Sequence, residues 1–162
     1  MSVLYILCGI PGSGKSTWAR KQVEDYGTDK MAWISRDKIR FNLLKPDEEY
    51  FSRENEVVSI FVDEIQKAID NGTPFVLADA THLNRKSRLQ LLNQLVLNNT
   101  SVRYVYFDVP LSVALERNSK RQGRERVPDS VIEKMYYSFS KPAANTIIID
   151  ENGNEKIMEE TG

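Results

Sequence analysis

Apolar, β-forming runs alternate with polar stretches of helical length along this chain. Val3–Cys8 is continuously apolar, as expected of a strand buried on both faces. Ser16–Tyr26 reads as a helix that Gly27 stops, Met31–Ser35 as a short strand, and Asp37–Leu44 as a short helix ended by Pro46. Glu54–Ile69 is the longest helix candidate. Its Val57, Val58, Phe61, Val62, Ile65, Ala68 and Ile69 recur at spacings of three and four, and Asn71-Gly72 closes it. Phe75–Ala78 predicts a second buried strand and Lys86–Leu97 a helix with Leu89, Leu92 and Val96 on one face. Val102–Phe107 predicts a strand ending at Asp108. Pro110 suits a first helical position for a helix through Arg117. Asp129–Phe139 reads as a last helix and Thr146–Ile149 as a last strand. This order predicts an α/β sandwich: a central, mostly parallel five-stranded sheet with right-handed crossovers. The acidic stretch Glu151–Gly162 reads as either a frayed tail or one edge element.

Composition narrows the class. A chain of 162 residues suits one domain with a full core, here expected to span residues 1–162. Cys8 is the only cysteine, which excludes an intrachain disulfide and favours a reducing compartment. The first apolar run is too short to span a bilayer and lacks the flanks of a signal peptide, so a cytoplasmic protein without a membrane partner is expected. Twenty-two Lys and Arg balance 23 Asp and Glu, which argues against a protein that coats nucleic acid indiscriminately. The cations are instead concentrated. Residues 116–126 hold Arg117, Lys120, Arg121, Arg124 and Arg126 against Glu116 and Glu125. Such a cluster either meets an anion or is a solvated helix end.

The most specific motif is Gly9-Ile-Pro-Gly-Ser-Gly-Lys-Ser16, which fills every constrained position of G-x-x-x-x-G-K-[ST] between a buried strand and a helix. Glycines at 12 and 14, with Ser13, let successive amides turn inward as an anion nest at a helix N-terminus. Lys15 can reach the β- and γ-phosphates, Ser16 can ligate Mg²⁺, and Thr17 can offer a further hydroxyl. These features predict a three-layer P-loop fold and ATP with Mg²⁺ as cofactors. They do not say what is done with the triphosphate. No N-K-x-D guanine-reading sequence accompanies the loop. Cys8 and Trp18 are expected to be packing residues.

In a parallel sheet, ligands sit beyond the carboxyl ends of the strands, so the polar residues that follow each apolar run are the next candidates. Arg36, Asp37 and Arg40 follow the second strand, and Asp37 and Arg40 share a helical face. A carboxylate beside arginines can accept a proton from an attacking hydroxyl, although Asp37 could equally serve as a first-turn acid. Asp79 follows the third strand as a candidate Mg²⁺ ligand, with Thr81, His82 and Asn84 on the same rim. His82, the only histidine, is expected at the rim or surface. After the fourth strand, Arg117 and Arg121 lie one turn apart, and Gly123 and more arginines precede Val127-Pro128. This suits a helical, arginine-bearing lid over roughly residues 118–128 that delivers guanidinium groups to a transferring phosphoryl. The bland reading is a basic helix end satisfying its own dipole.

Together these residues resemble the kinase domain of phage polynucleotide kinase–phosphatases, in the adenylate-kinase-like group of P-loop phosphotransferases. The resemblance is densest at Gly12–Arg20, Arg36-Asp37 with Arg40, Leu83-Asn84 with Arg88, Phe107–Pro110, Arg117–Arg121 and Val127-Pro128. It implies that Lys15 and Ser16 bind triphosphate and metal and that Asp37 is the general base. It further implies that Arg40 holds an acceptor phosphate with Arg36 in the same pocket. Arg121 would stabilise the transferred phosphoryl with Arg117 in support, and Thr81 and Val127 would line the acceptor channel. The segment Gln122–Arg126 is one residue longer than the family pattern, so Arg124 and Arg126 have no counterparts there. The implied activity is ATP-dependent phosphorylation of a hydroxyl, first of all the 5′-hydroxyl end of a polynucleotide. A small metabolite, a hydroxymethylated base in DNA, or a non-catalytic ATP-binding module are the alternatives. No protein partner is readable from the sequence.

Overall fold

A computed structural model describes residues 1–142 and 146–158. β1 (Ser2–Cys8) runs through the middle of the sheet and leads through the glycine-rich loop into α1 (Lys15–Tyr26). Then come β2 (Met31–Ser35), α2 (Arg36–Leu43), α3 (Glu54–Asp70), β3 (Phe75–Asp79) and α4 (Arg85–Asn93). β4 (Thr100–Phe107), α5 (Leu111–Ser119), a single 3-10 turn at Gly123–Glu125, α6 (Asp129–Ser138), β5 (Thr146–Ile149) and β6 (Glu155–Met158) complete the order. The strands lie in the order β2-β3-β1-β4-β5-β6, parallel except for the last.

Alternation along β1 builds the layers. Leu4, Ile6 and Cys8 face the side covered by α3 and α4, where they meet Phe61, Ile65, Val76 and Leu91. Leu7 faces the other side with Ala19 of α1, Leu77, Val105 and Phe107. A smaller cluster of Ile10, Ala114 and Ile132 joins the glycine-rich loop to α5 and α6. Cys8 is fully buried, and burial raises its thiol pKa to about 11, so it is an inert packing residue. Trp18 packs edge-on against Phe107, as a core residue should. Among the described residues no helix is long and apolar enough to cross a membrane.

Three local features differ from the sequence expectation. The sheet has six strands rather than five, the sixth being the edge element that is one of the two readings of the acidic stretch. The Asp150 carboxylate accepts the amides of Asn152 and Asn154, both at 2.9 Å, and Gly153 supplies a φ of +79°; this turn folds Glu155–Met158 back onto β5. The Lys86–Leu97 helix ends early, at Asn93, because the Gln66 side chain of α3 pairs with the amide of Val96 at 2.9 Å and its carbonyl at 3.1 Å. His82 is not at the rim: it is 2% exposed. Its backbone takes φ +43°, which turns the ring inward beside Phe61 at 6.1 Å, and Nδ1–H donates to the Leu7 carbonyl at 2.6 Å.

Burial, reinforced by the Arg36 charge, lowers the His82 pKa to about 3. The unfolded chain binds this proton near pH 6.5 and the folded chain only near pH 3, so stability is complete above 6.5 and falls as pH drops towards 3. His82 alone should remove about 2 kcal/mol between pH 7 and pH 5. As the chain has a single histidine, its imidazole resonance is unambiguous in a proton NMR titration. It should stay in the neutral form from pH 8 to pH 5, and a midpoint near 6.5 would contradict the buried placement.

Candidate active site

The register of the three neighbouring strands sets the site. Leu7 and Ser35 both pair with Asp79 across the parallel ladders, so the ends of β1, β2 and β3 lie in one row. From that row the chain departs into the glycine-rich loop, into α2 and into the Asp79–Asn84 turn. The Gly9 amide donates to the Thr81 carbonyl at 3.1 Å, which ties the first of these to the third.

The loop is shaped by close approach. Gly12 has φ +82°, and a Cβ there would stand 2.5 Å from the Ala114 carbonyl oxygen of α5. Gly14, at φ +95°, is the residue before α1 and offers no side-chain cap; the first turn of α1 carries no acid. The first amides of α1 are therefore left for an outside acceptor. Ser13 is buried, and its Oγ has no partner among the described residues. Ser16 and Thr17 are exposed beside it. Lys15 Nζ donates to the carbonyls of Gly9 at 2.8 Å and Ile10 at 3.2 Å. Burial lowers its pKa, opposed by the carboxylates of Asp79 and Asp37, while the Arg121 charge lowers it further. Asp79, Asp37 and Arg121 thus each lie within electrostatic reach of Lys15.

Asp79 is 5% exposed, and its Oδ2 accepts the Trp33 indole N–H at 2.9 Å. Burial raises its pKa against the pull of the Lys15 ammonium. Among the described residues no group of three or more His, Cys, Asp or Glu could hold a metal unaided. The Ser16 hydroxyl and the Asp79 carboxylate are oxygen donors of the kind that could hold Mg²⁺, which completes its shell with phosphates and water. The glycine nest with an uncapped helix end fits the triphosphate.

Asp37 lies in the first turn of α2, whose cap is Ser35; the Ser35 Oγ accepts the Lys38 amide at 3.3 Å. The cap therefore leaves the Asp37 carboxylate free for other work, and its side chain is 60% exposed. Its Oδ1 accepts from Arg40 Nη1 and from the Tyr50 hydroxyl, the latter at 2.6 Å. Arg40 is only 4% exposed, with Nε and Nη2 on the two Glu54 oxygens at 3.1 and 2.7 Å and Nη1 also on Tyr50 at 2.9 Å. Burial opposes its charge, but Glu54 and the neighbouring oxygens hold its pKa above the ordinary arginine value. Arg36 leans inward with its guanidinium 4.6 Å from the Phe61 ring centre; burial lowers its pKa, and its Nε has no partner among the described residues.

The arginine segment closes as a loop carrying one 3-10 turn. Buried Asn118 bonds both backbone groups of Val127, donating at 2.6 Å and accepting at 3.0 Å, which pins the two ends together. Arg117 reaches the Gly12 carbonyl at 3.4 Å and the Glu151 carbonyl at 2.6 Å. Arg121 is half-buried on the same segment. Arg124 turns away, onto the carbonyls of Lys45, Pro46 and Glu48. Sequence reasoning missed Tyr50, Glu54 and Trp33. Trp33 could have been found, since it shares a strand face with Ser35. Tyr50 and Glu54 reach the site through a loop whose path no periodicity encodes.

Comparison with known proteins agrees with this geometry. The profile of the AAA domain matches residues 4–142. The chain is 30% identical over 151 residues to an Autographa californica nuclear polyhedrosis virus protein assigned as a bifunctional polynucleotide kinase/RNA ligase; the match covers 85% of this chain and 21% of that protein. A chain of the Pnkp1/Rnl/Hen1 RNA repair complex superposes with a TM-score of 0.69 at 27% identity, covering 85% of this chain and 43% of that one. A sugar kinase from Janibacter sp. HTCC2649 gives 0.64 at 19% identity, covering 94% and 87%, and shares the fold. This chain thus spans about a fifth of the viral relative and less than half of the repair-complex chain. With a match that opens in β1, takes in the glycine-rich loop and helices α1 to α6, and closes beyond α6, the chain belongs to the AAA-domain family of P-loop nucleotide-binding proteins.

Proposed function

We propose that the chain is an ATP- and Mg²⁺-dependent kinase that phosphorylates the 5′-hydroxyl end of a polynucleotide. The carrying observation is an exposed carboxylate, Asp37, held at one oxygen by Arg40 and Tyr50 and lying within electrostatic reach of Lys15. A module that only binds nucleotide has no use for such a group. The names of the viral relative and the repair complex support a polynucleotide acceptor. The likeness to a sugar kinase extends to the fold alone.

On this reading the P-loop amides and Lys15 hold the β- and γ-phosphates. Ser16 and Asp79 would hold Mg²⁺, which when bound would offset the phosphate charge. Asp37 takes the proton of the acceptor hydroxyl as its oxygen bonds to the γ-phosphorus and the bond to the β-bridging oxygen breaks, leaving ADP. Arg121 meets the charge on the transferring group, with Arg117 holding the loop beside it. Thr81, Arg36 and Val127 border the acceptor. Because both Nη1 donors of Arg40 already serve Asp37 and Tyr50, and Glu54 takes Nε and Nη2, its first task is to fix Asp37, and an acceptor phosphate would compete for its Nη1.

Three substitutions test this assignment with γ-labelled ATP and a 5′-hydroxyl oligonucleotide. Lys15→Ala should abolish transfer, because the phosphates lose their lysine contact; turnover near the parent rate would remove the P-loop from the chemistry. Asp37→Asn should keep ATP binding, read by calorimetry, while transfer drops by roughly 10²–10⁴, the usual worth of a general base. Arg121→Ala should lower turnover by about 10³ or more with little change in ATP affinity. Unchanged turnover with altered thermal stability would make Arg121 a structural helix-end charge. Phosphorylation of a sugar but of no oligonucleotide by the parent protein would overturn the polynucleotide acceptor.

A further inference from the structure

Beside Asp37 lies a surface that phosphoryl transfer itself does not use. The loop between α2 and α3 carries Tyr50 and Phe51 in succession. Tyr50 gives its hydroxyl to Asp37, and its ring stands edge-on to Phe51, with centroids 4.5 Å apart at 85°. Phe51 is 60% exposed. The Arg40 guanidinium lies 4.5 Å from the Tyr50 ring centre and 5.5 Å from that of Phe51. A lone exposed apolar side chain is ordinary. This one is a single ring away from the carboxylate that faces the acceptor.

The loop is also held in place. Glu48 pairs with Arg53 at 2.6 Å and accepts the Lys45 amide at 2.9 Å. Arg124, from the arginine segment, donates to the Lys45 carbonyl at 2.6 Å and the Glu48 carbonyl at 3.2 Å. The ring is therefore presented on a fixed support, and a planar partner would meet it without first ordering the loop.

We propose that Phe51 is a stacking platform for a nucleobase near the 5′ end of the acceptor strand. This rests on the polynucleotide reading above and narrows it: the acceptor is a single strand with accessible bases. A sugar or polyol has no aromatic face to lay on the ring, whereas every nucleobase has one. Phenylalanine offers no hydrogen-bonding group, so the platform serves all four bases alike.

The test pairs binding with turnover. A 3′-fluorescein 5′-hydroxyl DNA strand is compared with the same strand made abasic at its first two 5′ positions. Affinity is read by anisotropy with ADP present, and kcat and KM are read with ATP, for the parent, Phe51→Ala and Phe51→Trp. Phe51→Ala should weaken binding and raise KM for the base-bearing strand about tenfold, the usual scale of one stacked base, with a much smaller effect on the abasic strand. Phe51→Trp should restore binding. Equal losses on both strands, or no loss on the base-bearing strand, would overturn the platform. A base-bearing strand bound through Phe51 but never phosphorylated would leave the platform standing and remove the kinase reading. Phosphorylation indifferent to Phe51 would do the reverse, and neither binding nor transfer would remove both.

Discussion

The parallel register of β1, β2 and β3 is the constraint on which the site depends. Leu7, Asp79 and Ser35 stand in one row; β2 and β3 end there and β1 one residue beyond. Polar residues well separated in sequence therefore leave the sheet at the same level, on the edge where parallel strands present ligands. A slip of one residue in β3 would turn Asp79 to the other face and take it from Trp33. Val76 and Ala78 in the cluster with Phe61 and Ile65, and Leu77 in the opposite cluster with Ala19 and Val105, resist such a slip, since it would exchange the two sets and spoil both packings. Packing deep in the sheet thus fixes chemistry at its rim.

Charge burial is the second organising cost. Arg40, Asp79 and Lys15 are drawn out of water within one small region, and isolated charges there would be prohibitive. The structure meets this cost with specific partners. Arg40 has a bidentate Glu54 and two further oxygens, Asp79 has Trp33 and the Lys15 field, and Lys15 has two backbone carbonyls. Glu54 opens α3, where a carboxylate also suits the helix dipole, so one residue both starts the helix and neutralises the arginine beneath Asp37. Asp37, with its side chain 60% exposed, is the member of this network most open to solvent, as a group that must meet a substrate should be.

Most of the fold was legible in the sequence because its strands are continuous apolar runs and its long helix has clear periodicity. The P-loop was legible because glycines, lysine and serine at fixed spacing have few other uses. Legibility failed where geometry depends on a turn rather than a period. His82 follows a strand end, where rim residues belong, yet a positive φ folds its ring into the core. The edge strand at Glu155–Met158 depends on the Asp150 turn, which is a local hydrogen-bonding event inside an acidic stretch. Tyr50 and Glu54 lie 13 and 17 positions beyond Asp37, and only the path of the intervening loop brings them back to α2. The pairing of Asp37 with Arg40 was readable from their spacing, but the engagement of Arg40 by Glu54 and Tyr50 was not.

The two halves of the site differ in what they can specify. The nucleotide half is backbone: glycine turns, an uncapped helix end and a lysine, all of which grip phosphate without regard to what lies beyond it. Discrimination must then come from side chains on loops, where substitution does not disturb the sheet. In this chain the α2–α3 loop is the element that both touches Asp37 through Tyr50 and is gripped by Arg124 from the arginine segment. Arg121 and Arg124 lie on that one segment, pinned at its ends by Asn118 and Val127. A movement that brought Arg121 towards bound phosphates would therefore pull on the loop whose Tyr50 holds Asp37. On the proposed function, donor and acceptor sides are linked through the short stretch Arg121–Arg124 rather than through the core, and there a change of acceptor would be written with least cost to the fold.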